Sequence, residues 1–289
     1  MCDENTLADA ARAASRSGLS RRDFGVTGTA AALAAYGGEA LAAGFPLAQS
    51  TVMVPMGDGA GDAFFVHPAR GRHPAIILWP DIAGLRDANQ AMARRLAAAG
   101  YAVLAVNQYW RSARAPVLHS FAEWRQPGGQ ERLAPMIARI TPDSVVRDGV
   151  AYVAWLDRQA AVDTKRGIGS CGYCMGGPFA VRTAWAAPRR VRAVASLHGG
   201  GLVGDKPDSP HRLLEKTAAS YLFAIARNDD ARAPADKDTL RAAAAAAHRP
   251  AEIEVYRGDH GWTVPDSPSY DKAEADRAFA RMLALFARL

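Results

Sequence analysis

The sequence predicts an α/β fold with a mostly parallel central sheet covered by helices on both faces. Three observations carry this. Short β-rich apolar runs alternate with longer helical segments, no internal repeat is evident, and no Pro- or Ser-rich linker divides the chain beyond its N-terminal region. A single domain over residues 46–289 follows.

The elements can be taken in order. TVMVPM and DAFFVHP read as an opening hairpin. AIILWP, YAVLAVN, GIGSCG, VRAVASL, YLFAIA and AEIEVY are apolar runs of strand length. Between them lie AMARRLAAAG, SVVRDGVAYVAWLDRQ, PFAVRTAWAA and DKDTLRAAAAAAH, and YDKAEADRAFARMLALFARL closes the chain; all read as helices. The alanine run at 242–247 belongs to one of them, because alanine is the best helix former. Residues 111–140 are less regular and follow a strand end. Open α/β sheets bind ligands beyond the carboxyl ends of their strands, so this excursion is a candidate lid.

At 289 residues, 49% of them apolar, the chain can build a full core without staples. Its three cysteines make no disulfide framework, so a cysteine that matters does so through chemistry. The formal charge of +6 is scattered, with acidic residues between the basic ones and no aromatic-interleaved stripe, which excludes nucleic acid as a partner. Within residues 1–45, Arg21 and Arg22 stand in SRRDF, ahead of the mildly apolar GVTGTAAALAAYGG and the small residues Ala40, Ala42 and Ala43. That order is similar to a twin-arginine export signal followed by a linker. It implies a precursor handled by the twin-arginine export machinery and a periplasmic or secreted product. No run reaches the roughly 20 apolar residues of a membrane span. A monomer is expected.

The stretch SCGYCMGG, residues 170–177, has two readings. Cys171 and Cys174 spell the CxxC of a redox dithiol, while Gly172, Cys174, Gly176 and Gly177 spell a nucleophile turn with cysteine at its centre. The glycines favour the second. A nucleophile elbow holds its central residue in a strained conformation and needs small residues two before and two after, so that strand and helix can approach. A redox pair needs no such glycines, and its attacking thiol would be Cys171. Downstream, YLFAIARNDD ends a strand run with Asp229 and Asp230, and EVYRGDHGW ends the next with His260. Nucleophile, acid, base is the chain order of an α/β-hydrolase triad.

With GxCxGG after a buried strand and His260-Gly261-Trp262 near the C-terminus, the chain from about Val52 onward resembles the dienelactone hydrolase family of α/β-hydrolases. The resemblance implies an α/β-hydrolase fold and a triad of Cys174, His260 and an aspartate that cleaves a small ester or lactone without metal or organic cofactor. Asp229 keeps the family's spacing from the strand end and is the expected acid. Asp230, which keeps the spacing to Pro234, is the alternative. The family's acidic residue that holds the resting thiol would fall on Asp81 in WPDIAG, one methylene shorter than the family's glutamate. The amides of Ile82 and Met175 would form the oxyanion hole. QYWR matches a substrate-binding pattern and carries that role onto Tyr109 and Arg111. A second family arginine falls on Val264 and is absent, so an acidic substrate does not follow. His198, at another strand end, is expected to line the pocket, and Cys171 to pack in the sheet beneath the elbow. Two other classes compete: a periplasmic thiol-disulfide oxidoreductase using Cys171 and Cys174, and a degenerate hydrolase fold acting as a binding protein.

Overall fold

In a computed structural model that describes residues 46–289, the chain opens with the hairpin its alternating runs predict. Residues 1–45, where the sequence is similar to an export signal, lie outside the described residues. Strands β1 (Leu47–Met56) and β2 (Gly59–Pro68) pair antiparallel from Leu47↔Pro68 to Met56↔Gly59. β2 also pairs antiparallel with β4 (Ala102–Val106). From there the sheet is parallel through β3 (Ala75–Trp79), β5 (Ile168–Tyr173), β6 (Val191–Leu197), β7 (Ser220–Ala226) and β8 (Ala251–Tyr256). The order is β1-β2-β4-β3-β5-β6-β7-β8.

Every residue of β3, β4 and β5 is buried, as expected of strands covered on both faces. Alternate side chains go to opposite layers. On one side Ile76, Leu78, Val103 and Tyr173 pack with Met92 and Leu96 of helix α1 (Asp87–Ala98) and with Met282 and Phe286 of the C-terminal helix (Lys272–Phe286). On the other, Ile77, Trp79 and Leu104 meet Tyr152 and Leu156 of the helix Pro142–Leu156 and Val181 of the helix Gly176–Ala186. Thr141 caps the first of these two helices by accepting from the Ser144 amide, and Pro142 occupies its first turn. Trp79 donates to Thr183 at 3.0 Å, so its buried indole nitrogen has a partner.

The excursion at 111–140 folds as helices α2 (Phe121–Arg125) and α3 (Gly129–Ala138). In chain order, Pro142–Leu156 is α4 and Gly176–Ala186 is α5. α6 (Pro210–Leu213), α7 (Arg227–Arg232) and α8 (Asp236–Ala246) follow, and Lys272–Phe286 is α9. The excursion has its own apolar cluster, in which Val117, Leu118, Phe121, Trp124 and Leu133 pack on Ile82 and Tyr109. It therefore covers the loop after β3. Among the described residues no helix is long and apolar enough to cross a membrane.

The strand order places the site. The chain passes from β3 outward to β4 and later returns to the opposite side of β3 with β5, so the order reverses between β3 and β5. A crevice opens beyond the carboxyl ends of strands at such a switch point. Trp79↔Gly172 is the last pair in that register, which sets residues 80–82 beside residues 173–175. The approach is close: a Cβ on Gly172 would lie 1.9 Å from the Gly176 carbonyl oxygen, and one on Gly176 would lie 2.4 Å from that of Trp79. Gly172→Ala should therefore lower unfolding free energy by more than ~2 kcal/mol. Gly57→Ala, with nothing within 4 Å of its added Cβ, should change it by less than ~0.5 kcal/mol. Denaturant midpoints measure both, and equal midpoints would refute the packing argument.

Candidate active site

Cys174 sits between β5 and α5 with φ of 53°, a left-handed conformation that costs a non-glycine residue roughly 1–3 kcal/mol. The surroundings hold it there. Its amide donates to the Leu197 carbonyl at 3.0 Å, and its own carbonyl accepts from Gly177 at 3.0 Å. A Cβ on Gly177 would strike Ser196 Oγ at 2.4 Å and the Gly199 Cα at 2.7 Å. The glycines at 172, 176 and 177 thus let β5, α5 and the turn after β6 converge on one residue.

Asp229 and His260 follow the ends of β7 and β8. α7 begins directly after β7, and Arg227 in its first turn pairs with Asp259 through two contacts of 2.8 and 3.0 Å. The Arg227 amide donates to Gly258 at 3.1 Å, and the His260 amide donates to Asn228 Oδ1 at 2.8 Å. These bonds stitch the two loops together. His260 Nδ1 then meets Asp229 Oδ2 at 2.7 Å, while its Nε2 is buried without a hydrogen-bond partner among the described residues. Burial pushes the Asp229 carboxyl up, but the hydrogen bond and charge of His260, with Arg232 beside it, outweigh burial and hold it below the ordinary value. Asp230 bonds Lys237 at 2.6 Å, which leaves Asp229 as the aspartate on the imidazole.

His198 stands behind the base. Its Nε2 lies 2.9 Å from Thr263 Oγ1, and its ring centroid is 4.9 Å from that of His260 and 6.2 Å from that of Tyr173. Burial, then the neighbouring His260, pushes its pKa well down. Its ring packs between those of Tyr173 and His260. Cys171 is a free, fully buried thiol whose pKa burial raises, which suits a packing residue and not an attacking dithiol.

Three expected site residues have partners within the fold. Asp81 does not hold out its carboxylate: Arg86 donates to both oxygens at 2.8 and 2.9 Å, and the Ala83 amide donates to one at 2.9 Å. Arg86 also donates to Asp266 at 2.8 and 2.6 Å, and Asp266 accepts from the Phe121 amide at 2.9 Å. Burial alone would push the Arg86 guanidinium down; Asp266 and Asp81 outweigh it and keep it charged. Tyr109 is buried and donates to the Ile82 carbonyl at 2.7 Å. Arg111 is held by Asp148, at 2.8 Å to each oxygen, and by Asp58. Tyr109 and Arg111 thus support loops, for the physical reason that partners on the same chain already satisfy their polar atoms.

Ile82 and Met175 do come together. Both line a cleft of ≈ 260 Å³ with Ile137, Ile140, Phe179 and Arg182. Its walls are mainly apolar, and α3 and the residues after it form one side, which fits the expected lid. Arg182 pairs with Asp208 at 3.1 Å, and its buried Nη1 has no acceptor. Among the described residues no group of three or more His, Cys, Asp or Glu is placed to hold a metal. Sequence reasoning missed Arg86, Asp266, Gln108 and Arg182. The first two meet across 180 residues, a pairing no local pattern encodes.

A model of the dienelactone hydrolase family matches residues 62–289. An Escherichia coli (strain K12) protein provisionally named carboxymethylenebutenolidase is 30% identical over 256 residues, 86% of this chain and 88% of its own. A Yersinia pestis protein with the same provisional name is 30% identical over 222 residues, 75% of this chain and 78% of its own. A solved Klebsiella pneumoniae structure, provisionally called a dienelactone hydrolase, matches with a TM-score of 0.72 at 24% identity, over 84% of this chain and 100% of that one, a likeness of fold.

The buried ion network yields a stability prediction. Arg86→Met should lower unfolding free energy by ~3–5 kcal/mol, because it leaves two buried carboxylates without their cation. Lys272→Met, which breaks an exposed i,i+4 pair, should change it by less than ~0.5 kcal/mol. Guanidinium unfolding curves compare the two, and similar losses would mean that the Arg86 network carries no special weight.

Proposed function

Because the chain belongs to the dienelactone hydrolase family, we propose that it hydrolyses a small ester or lactone through Cys174, His260 and Asp229, by way of a thioester. The observation that carries the reading is the oriented imidazole: Asp229 fixes Nδ1 at 2.7 Å, leaving Nε2 buried and without a partner among the described residues. Nε2 takes the thiol proton, and the thiolate attacks the substrate carbonyl. Negative charge develops on the carbonyl oxygen, which the Ile82 and Met175 amides receive. The carbon–oxygen bond then breaks, and His260 returns its proton to the leaving alcohol. Water, giving a proton to the same nitrogen, attacks the thioester and releases the acid and the thiol.

Cys171 is a free, buried thiol and is not joined to Cys174, and the attack requires the Cys174 thiol in its reduced form. The mainly apolar cleft beside Ile82 and Met175 favours an acyl or alcohol group with a modest apolar body.

The test is steady-state hydrolysis of a panel of small esters and lactones by the reduced full-length protein. Asp229→Asn should lower kcat by roughly 10⁴, since an amide there favours the wrong imidazole tautomer. Asp230→Asn should stay within about threefold of the parent, because Asp230 faces Lys237. No turnover across the panel would refute the activity, and a larger loss from Asp230→Asn would move the acid.

A further inference from the structure

We propose that Gln108 is a positioning residue of the oxyanion hole, acting from behind the Asp81–Ile82 peptide to fix and polarise the amide that meets the reacting carbonyl. The inference rests on the reading of the Ile82 N–H as an oxyanion donor. A trans peptide is planar, so the Asp81 carbonyl and the Ile82 N–H share one plane and point in opposite directions. Whatever grips the carbonyl therefore stands on the reverse side from the substrate and aims the N–H toward it.

Gln108 Nε2 donates to the Asp81 carbonyl oxygen at 2.7 Å. The second donor to that oxygen, the Gly84 amide at 3.0 Å, belongs to the same turn and moves with it. Gln108 comes instead from the end of β4, the strand beside β3, and so ties the peptide to the sheet. Its mounting is rigid. Asn107 donates to Asp62 at 2.9 Å and accepts from the Tyr109 amide at 2.9 Å, and Gln108 itself is 5% exposed. Tyr109 grips the next carbonyl, that of Ile82, and Arg86 grips the Asp81 side chain. Of these three holds, only the one from Gln108 acts on the peptide unit that carries the oxyanion donor.

A hydrogen bond to a peptide carbonyl also strengthens the N–H of that peptide as a donor, by roughly 10–30% per bond. Removing an oxyanion donor outright typically lowers kcat about 10²- to 10³-fold. Removing the group that aims and polarises one should do less, about tenfold.

The experiment compares two reactions of the same thiol in the reduced full-length protein. Acylation by p-nitrophenyl acetate passes through an oxyanion. Alkylation by iodoacetamide forms the sulfur–carbon bond as iodide leaves and develops none. Gln108→Met keeps the volume without a donor, and Gln108→Leu removes the amide with a second apolar side chain. Both should slow acylation about tenfold with KM within twofold of the parent, and leave the rate and pH profile of Cys174 alkylation unchanged. Acylation at the parent rate in both variants would overturn the proposal. So would equal losses in acylation and alkylation, which would place Gln108 in the support of the thiol or of the fold. A parent protein whose Cys174 alkylates but never acylates would sink the underlying hydrolase reading instead, a result read before any variant is made.

Discussion

The left-handed backbone at Cys174 is the constraint on which the site depends. At φ 53° the chain leaves β5 and enters α5 with no intervening loop, and this requires three backbones to meet at distances that no Cβ permits. The strain of roughly 1–3 kcal/mol is offset by the packing of two covered sheet faces, since moving Cys174 would shift β5 or α5 as a whole. Because α5 starts two residues after Cys174, the Met175 amide lies at a helix N-terminus, and Met175 lines the same cleft as Ile82.

Around this fixed point, side chains tie the remaining loops to one another. Arg86 joins the turn after β3 to Asp266 in the segment that follows His260, and Asp266 also takes the amide of Phe121 from the covering helices. The turn after β3, the loop that carries His260 and the cover therefore share one buried cation. Arg227 and Asn228 do the equivalent for the acid and base. Such a frame suits a site that must hold groups from four strand ends within a fraction of an ångström, because each loop is located by a charged or directional bond as well as by apolar contact.

Much of this is legible in the sequence. Among the described residues the strands fall on the runs read from the sequence; β3 and β4 are apolar throughout because both of their faces are buried, and the glycine spacing around Cys174 states the elbow directly. Chain order and strand-end placement also name His260 and Asp229, whose contact at 2.7 Å the structure displays. What the sequence hides are the pairings that depend on three-dimensional neighbours. Asp81 is identifiable as an acidic residue on the right turn, yet its partner is settled by Arg86 five residues on and Asp266 far beyond. Arg111 has a substrate-binding pattern but lies against Asp58 and Asp148, and nothing in QYWR reveals those acids. The helix at Arg227–Arg232 is short and polar, without the apolar period that marks a helix.

The central claim is that the residue in the left-handed turn is the one that becomes acylated. The most direct measurement is mass spectrometry of the reduced protein quenched in acid during turnover of a slow ester, with the adduct mapped by fragmentation. Cys171, three residues away and buried, serves as the internal control. The account expects one acyl group, as a hydroxylamine-sensitive thioester, on Cys174 and none on Cys171. An acyl group on Cys171, on a serine, or on no residue while ester is being consumed would contradict it.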